Sequence, residues 1–321
     1  MFRGKKIILG YEIKSGPWGG GNQFLISVKK HFEFLGAQVV SHLVDDADII
    51  FIINPNKNSG TFSLEQLNNF AKRNPHVKIV HRINETSKAK GFFCGVNRLR
   101  MRANRLSHAV IFISSWVKEY YAKKGLLTKK SYVIHNGPDK NIFNSCGHIS
   151  WDGETPMKIV THHWSNNYMK GADIYRQLDM LLKCKTLNKQ FSFTYIGNFP
   201  KSLRFRNTKV LAPLYGKELA DELRKHHIYL TAARWEACGM HQLEGALCGL
   251  PVLYINEGGG VVETCAGYGI SYSKFFFKEA LLRMKKEYFS LQSKINTFPY
   301  DSVRMCSLYE EVVKDLLGFN K

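Results

Sequence analysis

The chain has 321 residues, with 46 Lys and Arg against 26 Asp and Glu, a net charge of +20. That length exceeds a typical single core, so two domains are expected; 44% hydrophobic and 13% aromatic residues exclude a disordered chain. The basic excess favours polyanions, anionic lipid headgroups or phosphorylated small molecules and does not choose among them.

Seven cysteines, at 94, 146, 184, 238, 248, 265 and 306, form no CxxC pair. That argues against a zinc ribbon or a disulfide framework and for small apolar residues in a reducing compartment. The opening "MFRGKKIILGYEI" runs straight into a strand, too short for a signal-peptide core. No apolar stretch approaches the roughly 18–20 residues that span a bilayer. A cytoplasmic protein is expected, soluble or peripheral on the inner face of a membrane.

In the first half, short β-branched runs alternate with amphipathic segments, the pattern of a parallel sheet covered by helices. The strands are "KKIILGY", "AQVVSHL", "DIIFIIN", "KIVHRIN", "AVIFIS" and "SYVIHNG". Between the first strand and the first helix lies "SGPWGGGNQFLISV", where the amides at Gly20 and Gly21 are candidates to approach an anion. It matches neither GxGxxG nor the P-loop spacing, and a plain turn also accounts for it. "VDDADIIFI" carries a formal DxD, Asp46 and Asp48, but it leads into a buried strand and reads as solvated turn residues, so no metal is expected. His81 ends the strand "KIVHRIN" and suits either a site or a buried structural role. Arg98, Arg102 and Arg105 recur at helical spacing, giving either a face for anionic lipid or a solvated side of a covering helix. The polar stretch 136–156 reads as an interdomain linker.

The rhythm then restarts with "MKIVTHHW", "FSFTYIGN", "TKVLAPL", "IYLTAA", "PVLYIN" and "GISY". Two open α/β units place a ligand cleft at the carboxyl ends of their sheets. "THHWSNNYMKGADIY" sets Lys170 and Gly171 before a helix, where a cation opposes the helix dipole and so suggests a charge-neutralising role. "IYLTAARWEACGMHQLEGALCGLPVLYIN" reads strand, loop, helix, turn, strand. Its helix is expected from Gly239, leaving the amides of Gly239, Met240 and His241 to cradle a phosphate. Glu236 in the loop and Glu244 inside the helix suit sugar hydroxyls; alternatively one is a cap and the other a surface residue. "INEGGGVVETC" adds Gly258–Gly260 and Glu263, and the last helix, 300–317, has no strand after it.

"EACGMHQLEGALCGLPV" resembles the E-x7-E signature of the family 4 glycosyltransferases, retaining enzymes of the GT-B fold. "VIHNGPDKNIF" is similar to that family's interdomain segment, "HHWSNNYMKGADIY" to its lysine–glycine motif and "FPYDSVRMCSLYEEVVKDLL" to its terminal helix, so the likeness covers most of the chain. The resemblance implies an α/β GT-B fold, two Rossmann-like domains facing each other across a cleft. The expected division is 1–147 on the acceptor side, 148–299 on the donor side, and a terminal helix 300–321 returning to the first domain. It assigns Glu236 to the donor sugar, Glu244 to the ribose, and Lys170 to the diphosphate with the amides near Gly239 and at Gly20 and Gly21. His81 falls where the family presents a polar residue to the transferred sugar. Ser165 stands where the family has an arginine five positions before the lysine, and Arg82 or Arg234 could supply the missing charge.

The implied activity is metal-independent, retaining transfer from a nucleotide-diphosphate sugar to a glycan or lipid-linked acceptor, in cell-surface polysaccharide or glycolipid synthesis, with no cofactor. A basic nucleic-acid-binding protein is the alternative that the charge alone suggests. It lacks a recognition motif, and no nucleic acid is expected as a partner. A nucleotide-sugar epimerase of the same fold is the other alternative, separable by product analysis.

Overall fold

The computed structural model describes residues 2–319 apart from 15, 17, 57–59, 92–94, 127 and 129. Cys94 lies outside that set; the six other cysteines are free thiols, Cys146 and Cys184 exposed and the rest buried. The chain divides into two compact units, one of Met1–Ser15, Gly21–Asn136 and Ser302–Lys321, the other of Gly16–Gly20 and Gly137–Asp301.

The first unit is built on β1 (Lys6–Leu9), β2 (Gln38–Val40), β3 (Ile49–Ile52), β4 (Lys78–Ile83), β5 (Ala109–Phe112) and β6 (Ser131–Val133). Its helices are α1 (Gly20–Phe34), α2 (Leu64–Arg73), α3 (Ser87–Lys90), α4 (Val96–Asn104) and α5 (Ser115–Ala122). The sheet runs β2-β1-β3-β4-β5-β6, with every neighbouring pair parallel. Every residue of β3 and β5 is buried, as strands covered on both faces require. Ile8, Ile50, Ile52 and Ile79 pack with Phe70 of α2 and Ala103 of α4 on one face. Asp48, the second acid of the DxD, accepts from the Lys6 N–H and from Lys5 Nζ, both at 2.8 Å, and Asp46 pairs with Lys6. The side chains of Arg98 and Arg102 on α4, and of Arg105 just after it, are exposed, while Arg100 is buried.

The second unit holds β7 (Met157–His163), β8 (Phe191–Gly197), β9 (Lys209–Leu211), β10 (Ile228–Thr231), β11 (Val252–Ile255) and β12 (Gly269–Tyr272). Its helices are α6 (Ala172–Leu181), α7 (Lys185–Asn188), α8 (Gly216–Leu223), α9 (His241–Leu247), α10 (Gly260–Cys265) and α11 (Phe277–Ile295). The order is β12-β11-β10-β7-β8-β9, again parallel throughout, so β10 lies between β7 and β11 and their carboxyl ends adjoin. All twelve strands expected from sequence are present. The short helices α3, α7 and α10 were not expected.

One feature departs from the sequence reading. Residues 136–156 are not a free linker: Trp151 and Phe143 are buried, and Trp151 sits edge-on to Tyr288 of α11. Arg224 donates to the carbonyls of Ile142 and Asn144, and the Ile149 N–H donates to the Arg224 carbonyl at 3.0 Å. The polar composition there serves side-chain-to-backbone turns at Asp139 and Asp152. The last helix, α12 (Ser302–Leu317), belongs to the first unit and buries Met305, Tyr309, Val312 and Val313 at helical spacing. The Tyr309 hydroxyl accepts from Arg82 Nε at 3.1 Å, and its ring lies 5.1 Å from that of Phe24. Among the described residues no helix is long and apolar enough to cross a membrane.

Candidate active site

The site is assembled at the carboxyl ends of β7 and β10. After β7 the chain turns through a short 3-10 segment, Tyr168–Lys170, and enters α6 at Gly171. Gly171 has φ of 102°, and a Cβ there would lie 2.2 Å from Ala232 Cβ and 2.7 Å from its carbonyl oxygen. Only a residue without a side chain lets this turn lie against the chain leaving β10. The Arg234 N–H donates to the Met169 carbonyl at 2.9 Å and pins the two segments together. The result is an ion pair between Lys170 Nζ and the Glu236 carboxylate. Both side chains keep about a quarter of their surface, 26% and 21%, so the pair is reachable from solvent.

Glu236 is fixed by its backbone. Its N–H donates to the Gly258 carbonyl at 3.0 Å, and its carbonyl accepts from the Gly260 N–H at 2.8 Å. A Cβ on Gly259 would lie 2.7 Å from that same carbonyl oxygen. The second glycine run therefore braces Glu236. Trp235 beside it takes a left-handed φ of 51°, the one such non-glycine residue among those described.

Helix α9 begins at His241, two residues later than the sequence reading placed it, with Met240 as its N-cap. Among the described residues nothing accepts from the N–H groups of Gly239 and Met240. Gly20 packs against this segment: a Cβ on it would lie 2.6 Å from Met240 Cγ. Glu244 is buried, not a surface residue, because Gly245 beside it packs α9 onto Tyr229, where a Cβ would meet the ring at 2.3 Å. The Glu244 carboxylate is 2.7 Å from His162 Nε2, and Tyr229 Oη is 3.1 Å from His162 Nδ1. The imidazole is thus held between the Glu244 carboxylate and the Tyr229 hydroxyl, which fixes the carboxylate's position.

Behind these acids lies a buried histidine pair. His163 Nε2 is 2.6 Å from the Tyr175 hydroxyl, His241 Nε2 is 2.9 Å from Thr231 Oγ1, and the two rings are 4.8 Å apart. Burial first, and the positive charge of Lys170 with the neighbouring histidines second, hold both imidazoles well below their usual range. They stay neutral and add no charge against Lys170.

The other expected donor residues are accounted for as follows. Arg234 is committed to Asp173, which accepts from both guanidinium arms at 2.8 and 2.9 Å and lies 3.3 Å from Lys274. Burial works to raise the Asp173 carboxyl, but Arg234 and Lys274 overcome it and hold it below the usual range. Ser165 Oγ accepts from the Asn167 N–H at 3.2 Å. Arg82 and His81 are in the first unit, where Arg82 donates to Tyr309 and, at 2.7 Å, to Asn136. His81 is fully buried, and neither ring nitrogen has a hydrogen-bond partner among the described residues. Gly21, inside α1, would meet nothing within 4 Å of a Cβ. Two partners escaped the sequence reading, His162 and Asp173; the doubled histidine at the end of β7 was the only local signal for the first.

Neither a family model nor a curated protein matches the sequence. Solved structures do match its fold. HepE of Anabaena, solved with UDP-glucose, superposes with a TM-score of 0.72 at 15% identity, over 97% of this chain and 99% of that one. A glycosyltransferase from Rickettsia africae gives 0.67 at 15% identity, over 98% of each chain. WaaG, a glycosyltransferase involved in lipopolysaccharide biosynthesis, gives 0.66 at 13% identity, over 98% of this chain and all of its own. The chain has the GT-B fold, two Rossmann-like units each on a six-stranded parallel sheet.

Proposed function

We propose that the protein transfers a hexose from a nucleoside diphosphate sugar to a hydroxyl of a glycan or lipid-linked acceptor, retaining the anomeric configuration, in the synthesis of a cell-surface polysaccharide or glycolipid. UDP-glucose is the first donor to test, since HepE is solved with it. The observation that carries the reading is the Lys170–Glu236 pair, which holds an ammonium and a carboxylate side by side at the carboxyl end of the second sheet.

Breaking the anomeric C–O bond sends its electron pair to the departing diphosphate and leaves positive charge on the sugar ring. Lys170, with the N–H groups of Gly239 and Met240, stabilises the diphosphate as its charge grows. Glu236 accepts from the sugar hydroxyls, and Glu244, held in place by His162, accepts from the ribose. The acceptor oxygen attacks from the face the diphosphate leaves, and its proton passes to a phosphate oxygen. No carboxylate serves as a covalent nucleophile and no metal is needed.

The test is nucleotide release from a panel of UDP-, GDP-, ADP- and CMP-sugars with thermal shift by the matching nucleotide. One donor is expected to turn over, unaffected by EDTA, with Glu236→Gln and Lys170→Ala each lowering kcat by roughly 10²–10³ on a cooperatively melting fold. Near-normal turnover in both variants would overturn the assignment.

A further inference from the structure

Arg100 is the least satisfied charged group among the described residues. It projects from α4 toward the end of β4 and is 3% exposed. Its Nη2 lies 3.2 Å from Asn84 Oδ1 and 3.5 Å from Glu85 Oε2, while Nε and Nη1 have no hydrogen-bond partner. Ser87 Oγ, buried and without a partner, follows on the segment leaving β4. The buried His81 ring stands in the field of Arg100, and that of Arg82 reaches Arg100 in turn. Among the described residues the carboxylate that faces Arg100 is Glu85, which is also paired with Lys90 and is 29% exposed.

The same chain shows what a structural arginine looks like. Arg234 is held by two short bonds to Asp173, and Arg82 by a tyrosine, an asparagine and the face of Phe24, 3.8 Å away. Arg100 engages only Nη2, with Asn84 and at longer range Glu85, and leaves two nitrogens unmet where Arg82 leaves one, Nη1. A buried guanidinium with unmet donors is unfavourable unless an anion completes it, and a planar fork of this kind suits an oxyanion. The location, outside the carboxyl end of a parallel strand, is where open α/β sheets take ligands.

We infer that Arg100 and Ser87 bind an oxyanion of the phosphate-ester kind, which replaces the long Glu85 contact, and that the acceptor carries this group. The binding site stands on its own geometry; its identification with the acceptor rests on the transferase reading above.

Inorganic phosphate is the probe. Thermal midpoints are measured during a phosphate titration at constant ionic strength set with sodium chloride, with the turned-over donor's nucleotide present at saturation to fill the second unit. Wild type is expected to gain stability with phosphate. Arg100→Met is expected to lose that gain, to melt no lower than wild type without phosphate, and to keep its stabilisation by the nucleotide. Ser87→Ala, a small change at a packed position, is expected to weaken phosphate binding several-fold with little effect on the phosphate-free midpoint.

A chloride control that matches phosphate, or a phosphate gain that survives in Ser87→Ala and Arg100→Met, overturns the site. A destabilised Arg100→Met with an undiminished phosphate response in Ser87→Ala does so too, leaving the arginine a water-satisfied core residue. If no nucleotide binds yet phosphate still discriminates wild type from both variants, the donor reading fails and the anion site stands. The converse result sinks the anion site alone.

Discussion

A single methyl group at position 171 would separate the lysine from its partner. With φ at 102° and Ala232 only 2.2 Å from an added Cβ, Gly171→Ala combines backbone strain with a contact that must open. The strain alone costs about 1–3 kcal/mol, and the opening moves the Lys170 turn away from Glu236. The expected outcome is a lower thermal midpoint together with a kcat loss comparable to that of Lys170→Ala; unchanged turnover would mean the lysine finds its place without the close approach. The lysine–glycine pair was legible because its meaning is local, a cation at a helix start followed by a residue able to turn. Asp173 and His162 were not, because their partners are Arg234 and Glu244, 61 and 82 positions away. No window of sequence joins them. The two arginines offered for the missing charge illustrate the same limit: both have partners that only the fold supplies.

Among the elements, the glycine run before α10 shows how one loop controls another. Residues 258–260 hold the Glu236 backbone through a parallel bridge, and Gly259 has no room for a side chain beneath the Glu236 carbonyl. Gly259→Ala is expected to displace Glu236 and lower kcat at least tenfold, with nucleotide affinity, read by thermal shift, changed much less. A proportional loss of nucleotide affinity would place the loop on the nucleotide instead. Strands were read well from sequence because short β-branched and apolar runs, bounded by turns, repeat through both halves. Helices α3, α7 and α10, of four to six residues, are too short to show a period. The segment 136–156 misled because turn-forming composition is the same whether a stretch is free or folded down; Trp151 and Phe143 were the signal against a linker.

Across the whole molecule, burial of histidine sets the response to acid. His81, His163 and His241 are held well below their usual range by burial, and His226 and His227 are brought down to about 4 by the same cause. The unfolded chain takes up these protons near pH 6.5 and the folded chain does not, so the unfolded state gains stability as pH falls through about 6.5. Stability is therefore flat above that value and declines below it, each such group contributing up to about 1.4 kcal/mol per pH unit. The midpoint is expected to drop between pH 7.5 and 5.5, where histidine dominates side-chain titration. A constant midpoint over that range would show these rings protonated in the fold. At this scale the sequence conveyed the layering of each unit but not the use of its charge, since a count of +20 cannot distinguish a solvated lysine from a buried Arg100.

The placement of α12 also bears on how the protein is made. The second unit draws almost all of its residues from one continuous stretch, 137–301, whereas the core of the first waits for Met305, Tyr309 and Val313. As the polypeptide emerges from the ribosome, the half synthesised first is the half completed last. Until those residues are released, the surface that Tyr309 will cover on Phe24 and Phe51 stays open to water and to neighbouring nascent chains.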